Sequence, residues 1–519
     1  MQIKISSTTQ QSLIAVSIAI LTTGFLRLQL SSGLPDSDSG FYVFLTQYIY
    51  NIVSNGEVLK DMNLHLYQFI TSWVYSLEVN QFILLRLIDH LIAIAASIVL
   101  FKVILKESDS TLFTVILITT LLILLNQDEI VLYGYRNSIW AAFLPLFSAL
   151  LVWQNSNKED KYSFYSIGGL VSLGVLLREP FLPFFIFSGI AILIGYGWRV
   201  LIKYLIGSAV VGFSILGFIL MFRGWDLMNL INSYIDFIGI ADQFIRAKIT
   251  FISFLPSIKA NWFIIFTATV SIFYLLKLYC NDKNQVDMKR VWFWLLIALI
   301  PILEIFSKAS FAYHYANCLP GLAGLSALGW KYMINQESKK TKQLLIIATG
   351  LISLIIILPT LDRKIIKSPY IFSPLNAIQW VQVDVFRLPG LIEKSQYLIT
   401  SKKIYELSRE NSTLSTSGLM AVLFPLTKLM PPTYELHDLG KLFLKLNYDK
   451  DKLVTILERH RPTIIILSGA NIEYEKDLPL VVEKTNLYNK VDSIIGNQNI
   501  QYGWKFKHPG IIYRLKDFE

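Results

Sequence analysis

Apolar positions along this chain gather into long unbroken runs, not into the alternating or three-four spacing of half-buried strands and surface helices. Runs near 12–30, 81–105, 111–126, 138–154, 163–177, 181–198, 200–222, 261–279, 291–307, 312–332 and 343–361 stand out. About 20 helical residues cross about 30 Å of hydrocarbon, and a helix satisfies its own backbone amides there. The runs at 111–126 and 163–177 are short for this. The first run is too long for a removed signal peptide and lacks a small-residue cleavage site, so it is expected to remain as an anchor. The pattern predicts an α-helical polytopic membrane protein with about eleven transmembrane helices.

Two other stretches are apolar but too short to cross. Residues 41–54 (FYVFLTQYIYNIVS) and 64–78 (LHLYQFITSWVYSLE) are aromatic-rich and amphipathic, which predicts helices lying in the membrane interface. The alternative is that one of them is a re-entrant segment. From about 370 the texture turns mixed and polar. There KDKLVTILERHRP reads as an amphipathic helix, TIIILSG as a strand and GIIYRL as a last strand. That alternation predicts a small α/β soluble domain over 366–519, after a membrane domain over 1–365.

Composition removes the soluble alternative. Of 519 residues, 54% are hydrophobic and 16% charged, with a mean hydropathy of +0.50, against about 25% charged in an average soluble domain. The formal charge of +10 does not imply nucleic acid, because the basic residues fall in short loops after alternate spans. Lys102 and Lys106, Lys158 and Lys161, Arg199 and Lys203, Lys283, Lys289 and Arg290, then Lys339, Lys340 and Lys342 mark the cytoplasmic side, together with Lys4. An odd number of spans then puts the N-terminus in the cytoplasm and the C-terminal domain outside. The outer loops at 31–80, 223–260 and 307–313 are where chemistry is expected. Cys280 and Cys318 have no spacing that suggests a disulfide or a metal.

The strongest local signal is Pro35-Asp36-Ser37-Asp38-Ser39-Gly40-Phe41-Tyr42, just outside the first span. Carboxylates at a membrane boundary are costly unless solvated or used. Asp38 or Ser39 as a helix N-cap is the simpler account when the stretch is taken alone.

The wider order changes that weighting. After the first span come Asp38-Ser39-Gly40-Phe41-Tyr42, then Asn55-Gly56-Glu57, a second interfacial helix, and Leu85-Arg86-Leu87 opening the second span. This order resembles the membrane glycosyltransferases of the GT-C superfamily, in particular the bacterial protein-mannosyltransferase-like and lipid A aminoarabinose-transferase-like branch. His314-Tyr315 followed by Cys318-Leu319-Pro320-Gly321, and a C-terminal domain on the outer side, resemble the same branch. The resemblance implies transfer of a sugar from a polyprenyl-phosphate donor on the outer face, with an essential carboxylate in the first loop. One feature departs from it: where that branch often has Lys-Pro-Pro, this chain has Asp61-Met62-Asn63-Leu64-His65-Leu66. If that lysine holds the donor phosphate, His65 or a residue elsewhere takes its place.

Inverting transfer from a sugar phosphate needs a carboxylate to orient the acceptor and take its proton. Asp38 is the first choice and Asp36 the second. The leaving lipid phosphate needs cations. Arg86, His65, Arg178, His314 with Tyr315, and Lys308 are the candidates for donor phosphate and sugar contacts, with Arg246 and Lys248 also on the outer side. Each has a plainer reading: a snorkelling Arg86, an Arg178–Glu179 pair, an aromatic-belt role for Tyr313 and Tyr315, and an intrahelical Glu304–Lys308 pair. No cofactor is expected; a divalent cation at Asp128-Glu129 is the alternative. His437-Asp438 is expected at the surface, and Asn411-Ser412-Thr413 is a glycosylation sequon only in a host that uses it.

The expected partners are a polyprenyl-phosphate-sugar donor, a protein, lipid or glycan acceptor, and membrane lipid. The expected location is a bacterial inner or plasma membrane. Two rivals remain. An O-antigen polymerase or ligase has its large outer segment between late spans, unlike the tail at 370–519. A lipid-linked glycan transporter or flippase is expected to show paired halves and mid-span carboxylates, and neither is read here.

Overall fold

The computed structural model describes residues 7–24, 26, 37–60, 65–77, 81–126, 138–156, 162–233, 235, 251–282, 286–307, 318–336, 338–361, 394–418, 420–468, 475–494 and 510–518. A helix occupies each of the eleven positions at which an apolar run was expected. They are α1 (Ser7–Ala19, continued by a π-turn to Gly24), α4 (Gln81–Ser108), α5 (Thr111–Leu125), α6 (Ser138–Asn155), α7 (Ser163–Leu177), α8 (Leu182–Tyr196), α9 (Trp198–Phe222), α10 (Phe251–Asn281), α11 (Met288–Ser307), α12 (Leu319–Gln336) and α13 (Lys339–Leu361). Among the described residues, four stretches are long and apolar enough to cross a bilayer: Leu84–Ser108, Trp198–Phe222, Trp262–Asn281 and Lys340–Pro359. The expected short runs at 111–126 and 163–177 are short helices in the structure too.

Lipid tails are as apolar as leucine, so helices here associate by close packing. The α7–α9 crossing shows how. A Cβ at Gly168 would lie 2.0 Å from the Tyr204 carbonyl oxygen, and one at Gly207 would lie 2.0 Å from that of Tyr165. Gly169 against Val211 and Gly212 against Ser172 continue the contact. Residue numbers rise together along both helices, so the two run parallel and end at the same end of the bundle. Leu173, Leu176 and Leu177 then meet Ile215, Leu216, Ile219 and Leu220. Gly324 plays the same part against the Trp294 ring, where a Cβ would stand 2.2 Å away.

Between α1 and α4 lie α2 (Ser37–Ser54) and α3 (Leu66–Thr71), the latter extended by a 3-10 turn over Ser72–Ser76. These are the two interfacial helices of the sequence reading, and they have different surroundings. Ile70, Trp73 and Leu77 present an exposed apolar stripe, as an interfacial helix should. By contrast α2 is enclosed: every residue from Val43 to Ile49 is buried. Its cover is the C-terminal region.

That region carries a four-stranded sheet in the order β1 (Leu414–Thr416), β2 (Ile464–Leu467), β4 (Gly510–Leu515), β3 (Tyr488–Ile494). β1 and β2 are parallel and the other pairings antiparallel. The expected strands TIIILSG and GIIYRL are β2 and β4. The expected amphipathic helix is Lys450–His460, capped by Asp449, whose carboxylate accepts from the Lys452 amide. The expected domain boundary at 365/366 lies outside the described residues.

One core is shared. Val43, Phe44, Tyr48 and Ile49 of α2 and Phe82 and Leu85 of α4 pack with Tyr397, Leu414, Val422, Phe424, Ile464 and Ile512 of the C-terminal region. Burying a phenylalanine or leucine stabilises by about 1.5–3 kcal/mol, so a cluster of this size holds the sheet region firmly on α2.

Candidate functional site

At the end of the bundle that carries the sheet region, the α7–α9 crossing brings the two helix ends together. α7 ends at Leu177 and leads into Arg178, Glu179 and a 3-10 turn. α9 ends at Phe222 and leads into Arg223, Gly224 and Trp225, the last two with positive φ of 60° and 61°. This turn folds the chain back so that the Trp225 amide donates to the Leu220 carbonyl. Arg223 is 2% exposed, and its Nη2 donates to Asn229 Oδ1 at 2.6 Å.

The first loop is tied to the same place. The Leu59 amide donates to the Phe222 carbonyl at 3.0 Å, and Leu66 packs on Ile219, Leu220 and Leu230. Between these anchors sits His65, partly buried, with a left-handed backbone (φ 40°, ψ 45°) that a non-glycine residue adopts only under constraint. Burial pushes its imidazole below the ordinary histidine range; Arg223 adds to that and Glu179 opposes it. His65 therefore lies in the field of both Glu179 and Arg223, with its imidazole neutral near pH 7.

Beside this cluster runs an aromatic ridge. The Phe69 ring lies 5.6 Å from Phe218 and 5.0 Å from Phe222, which are 5.3 Å from each other. Exposed Ile70, Trp73, Met221, Trp225 and Met228 flank it. A polar group of side chains and a greasy, outward-facing strip thus adjoin.

On the other side, Phe41 of α2 links the cluster to the sheet region. Its ring meets His65 edge-on at 6.4 Å and stacks on His437 at 5.4 Å. Phe44 stacks on His437 at 5.2 Å and touches Phe424 at 4.5 Å. Gly40 is required here, because a Cβ on it would lie 2.7 Å from Val422 Cβ.

The expectation of a surface His437-Asp438 is corrected: the two are 6% and 5% exposed. The cause is local. Asp438 caps the helix Leu439–Lys445 by accepting from the Lys441 amide, which turns the preceding His437 ring onto α2. Burial, followed by the nearby Lys441 ammonium, pushes the imidazole down to about 3. Its Nδ1 faces the Tyr434 carbonyl, so Nδ1 carries the proton. Burial raises the Asp438 carboxyl, and burial with Asp438 beside it pushes Glu475 up to about 7. Ser468 and Ser417 donate to Glu475 Oε2 at 2.7 and 3.3 Å.

Of the residues singled out from sequence, His65 belongs to the cluster, and Arg178 directly precedes Glu179 in the chain. Asp38 lies in the first turn of α2, not at its cap, because the helix begins at Ser37; its side chain is outside the described residues. Asp36, Lys308, His314 and Tyr315, along with Arg246, Lys248, Asp128 and Glu129, are also outside them. Arg86 is buried near the start of α4, on the helix whose Phe82 and Leu85 pack under α2. One turn on is Asp89, 2% exposed, a span carboxylate that the sequence reading passes over. Arg223 is the other omission. Its signal was available, because an arginine on the side that the charge pattern marks as outer runs against the usual bias.

Among solved structures, this backbone matches that of ArnT from Cupriavidus metallidurans bound to undecaprenyl phosphate. The TM-score is 0.53 at 11% identity, over 98% of each chain. The chain has the ArnT fold. No family model matches the sequence, and no curated protein does. With its apolar helices, the ArnT fold makes this a multi-pass integral membrane protein. The expected architecture, a many-helix membrane bundle with a small α/β region at its C-terminal end, is the architecture found.

Proposed function

We propose that this protein is an inverting glycosyltransferase that moves a sugar from a polyprenyl-phosphate donor to a protein, lipid or glycan acceptor on the outer face of a bacterial inner membrane. The observation that carries the reading is that the first loop, with His65, is tied to the end of α9 at buried Arg223 and beside an aromatic ridge, on a fold shared with an undecaprenyl-phosphate-bound protein.

In this reading Arg223, Arg178 and Arg86 offer charge-assisted hydrogen bonds to the donor phosphate, which stabilise it more as negative charge develops on departure. Neutral His65 contacts phosphate or sugar, and Lys308, His314 and Tyr315 are further candidates for donor contacts. The lipid tail lies along Phe69, Phe218 and Phe222. Asp38 is the base that takes the acceptor proton, with Asp36 beside it. No cofactor enters the scheme. The N-terminus is cytoplasmic and the sheet region, as a soluble domain over 366–519, covers the site from outside.

The test is release of free lipid phosphate from radiolabelled polyprenyl-phosphate sugar by purified protein with envelope acceptors. Asp38→Asn is expected to abolish release while the protein stays folded; retained turnover moves the base elsewhere. Buried Asp89 favours a second reading, a lipid-linked glycan transporter. Lipid movement across vesicles without turnover of any donor would select it.

A further inference from the structure

The turn after α9 contains an acid and an amide within reach of Arg223, and the two do different work. Asp226 is exposed, and its Oδ1 accepts from the Asn229 main-chain amide at 2.8 Å, which caps the short helix over 227–233. Asn229 is partly buried and offers its side-chain Oδ1 to Arg223 Nη2 at 2.6 Å. The acid is spent on the backbone, and the amide takes the guanidinium.

Asn229 is itself held in place. Its carbonyl accepts from Ser233 Oγ at 2.7 Å, and the next residue, Leu230, is 4% exposed and packs with Leu66, Ile219 and Leu220. Leu66 directly follows His65, so the residue that meets Arg223 is anchored to the first loop. The positive φ of Gly224 and Trp225 turns the chain back sharply enough for a residue six positions on to reach the buried arginine. A carboxylate at position 229 would make a charge-assisted bond about twice as strong as a neutral one. The amide orients the same nitrogen and adds no counter-charge.

We infer that Asn229 is a positioning residue for the donor phosphate: it fixes the Arg223 guanidinium by a neutral hydrogen bond, without a negative charge that would compete with the phosphate oxygens. This rests on the transferase reading above, in which Arg223 contacts that phosphate. Asn229 touches the arginine and acts through it. The helix over 227–233 thereby belongs to the donor site, together with the first loop that packs on it.

The test uses the full chain in phosphatidylcholine nanodiscs and measures binding of a short-chain polyprenyl phosphate and of the uncharged polyprenol, alongside the melting temperature. Asn229→Asp is isosteric, keeps the hydrogen bond and adds the counter-charge. It is expected to melt no lower than wild type, yet to bind polyprenyl phosphate roughly tenfold more weakly and with a shallower salt dependence, with polyprenol unaffected. Asn229→Ala loses the hydrogen bond and is expected to weaken polyprenyl-phosphate binding roughly threefold or more, again sparing polyprenol. A hydrogen bond with only a structural role gives the opposite order, since Asn229→Asp would then match or exceed wild type. Wild-type affinity in Asn229→Asp therefore overturns the inference, as does equal loss for the phosphate and the alcohol. Should Asn229→Asp fail to fold, unchanged binding in Asn229→Ala overturns it too. Arg223→Leu is scored beside them: if it weakens phosphate binding and the folded Asn229 variants do not, only this inference fails. If Arg223→Leu binds as wild type does, or the wild type neither binds nor turns over any phosphate ligand, the transferase reading loses its phosphate contact.

Discussion

Replacing Gly40 by alanine tests the joint between α2 and the sheet region with a single methyl group. The new Cβ would stand 2.7 Å from Val422 Cβ, 3.1 Å from Val422 N and 3.2 Å from Val422 Cα. Carbon pairs rest at about 3.5–4.0 Å, and every atom met is backbone or Cβ, so no rotamer change relieves the clash. α2 and the 420–424 segment must separate by most of an ångström, against an overpacking penalty of about 1–3 kcal/mol. In the absence of the contact the sign would reverse, since alanine stabilises a helix over glycine by about 1 kcal/mol. Hydrogen exchange on the full chain in nanodiscs reads the outcome. Exchange is expected to rise roughly tenfold or more at 420–427 and 434–438, while the far side of the sheet around Leu453, Leu457 and Val482 stays protected. Val422→Gly removes the nearest atom, so the double variant recovers part of the loss as a coupling energy of about 1 kcal/mol or more. Unchanged or slower exchange in Gly40→Ala alone refutes the contact.

Arg223→Leu removes a buried cation, and the donor KM is expected to rise roughly tenfold or more, with a smaller change in kcat; an unchanged KM takes Arg223 out of the site. Gly207→Val drives a side chain into the Tyr165 backbone and is expected to spread α7 from α9, abolishing turnover and lowering the melting temperature; a well-folded, active variant contradicts the crossing. Two buried groups give the sheet region opposite pH limbs. His437, at about 3 when folded and near 6.5 when unfolded, contributes stability that is present above 6.5 and lost as pH falls toward 3. Glu475, at about 7 when folded and near 4.5 when unfolded, contributes stability that is full below 4.5 and lost as pH rises through 7. Thermal melts across pH 4–8 are therefore expected to peak between these limbs. Glu475→Gln should flatten the alkaline limb and His437→Gln the acid one; if neither limb changes, the two groups are not buried as described.

The helical bundle was legible because a bilayer leaves a sequence little choice. An apolar run of sufficient length has to become a helix, and the run at 200–222 appears as Trp198–Phe222. The strands TIIILSG and GIIYRL were legible for a similar reason, being β-branched runs flanked by polar residues. Pairwise meetings across long stretches of chain were not. Nothing near Phe41 or Phe44 announces His437 and Phe424 nearly 400 residues away, and an aromatic-rich amphipathic helix has the same pattern whether lipid or protein covers it. His437-Asp438 read as surface residues because no nucleophile or metal partner is visible for them in the sequence; the rings that cover His437 come from α2, which belongs to the other end of the chain.

The shared core of α2 bears on how the C-terminal region takes part in function. An accessory domain on a tether would keep its own core and touch the bundle through a polar interface of modest area. Here Phe44, Val43 and Ile49 are buried in the same cluster as Leu414, Ile464 and Ile512 from the sheet, so removing the sheet region would expose the face of the helix that begins at Ser37-Asp38. The helix that carries the proposed base is thus braced from the C-terminal side, while His65 and Arg223 are braced from the α7–α9 side. Phe41 touches both halves. A perturbation on either side should therefore reach turnover through the same helix. Shortening Phe41 to leucine, which breaks both ring contacts while leaving the charges in place, is the change that should affect kcat more than stability.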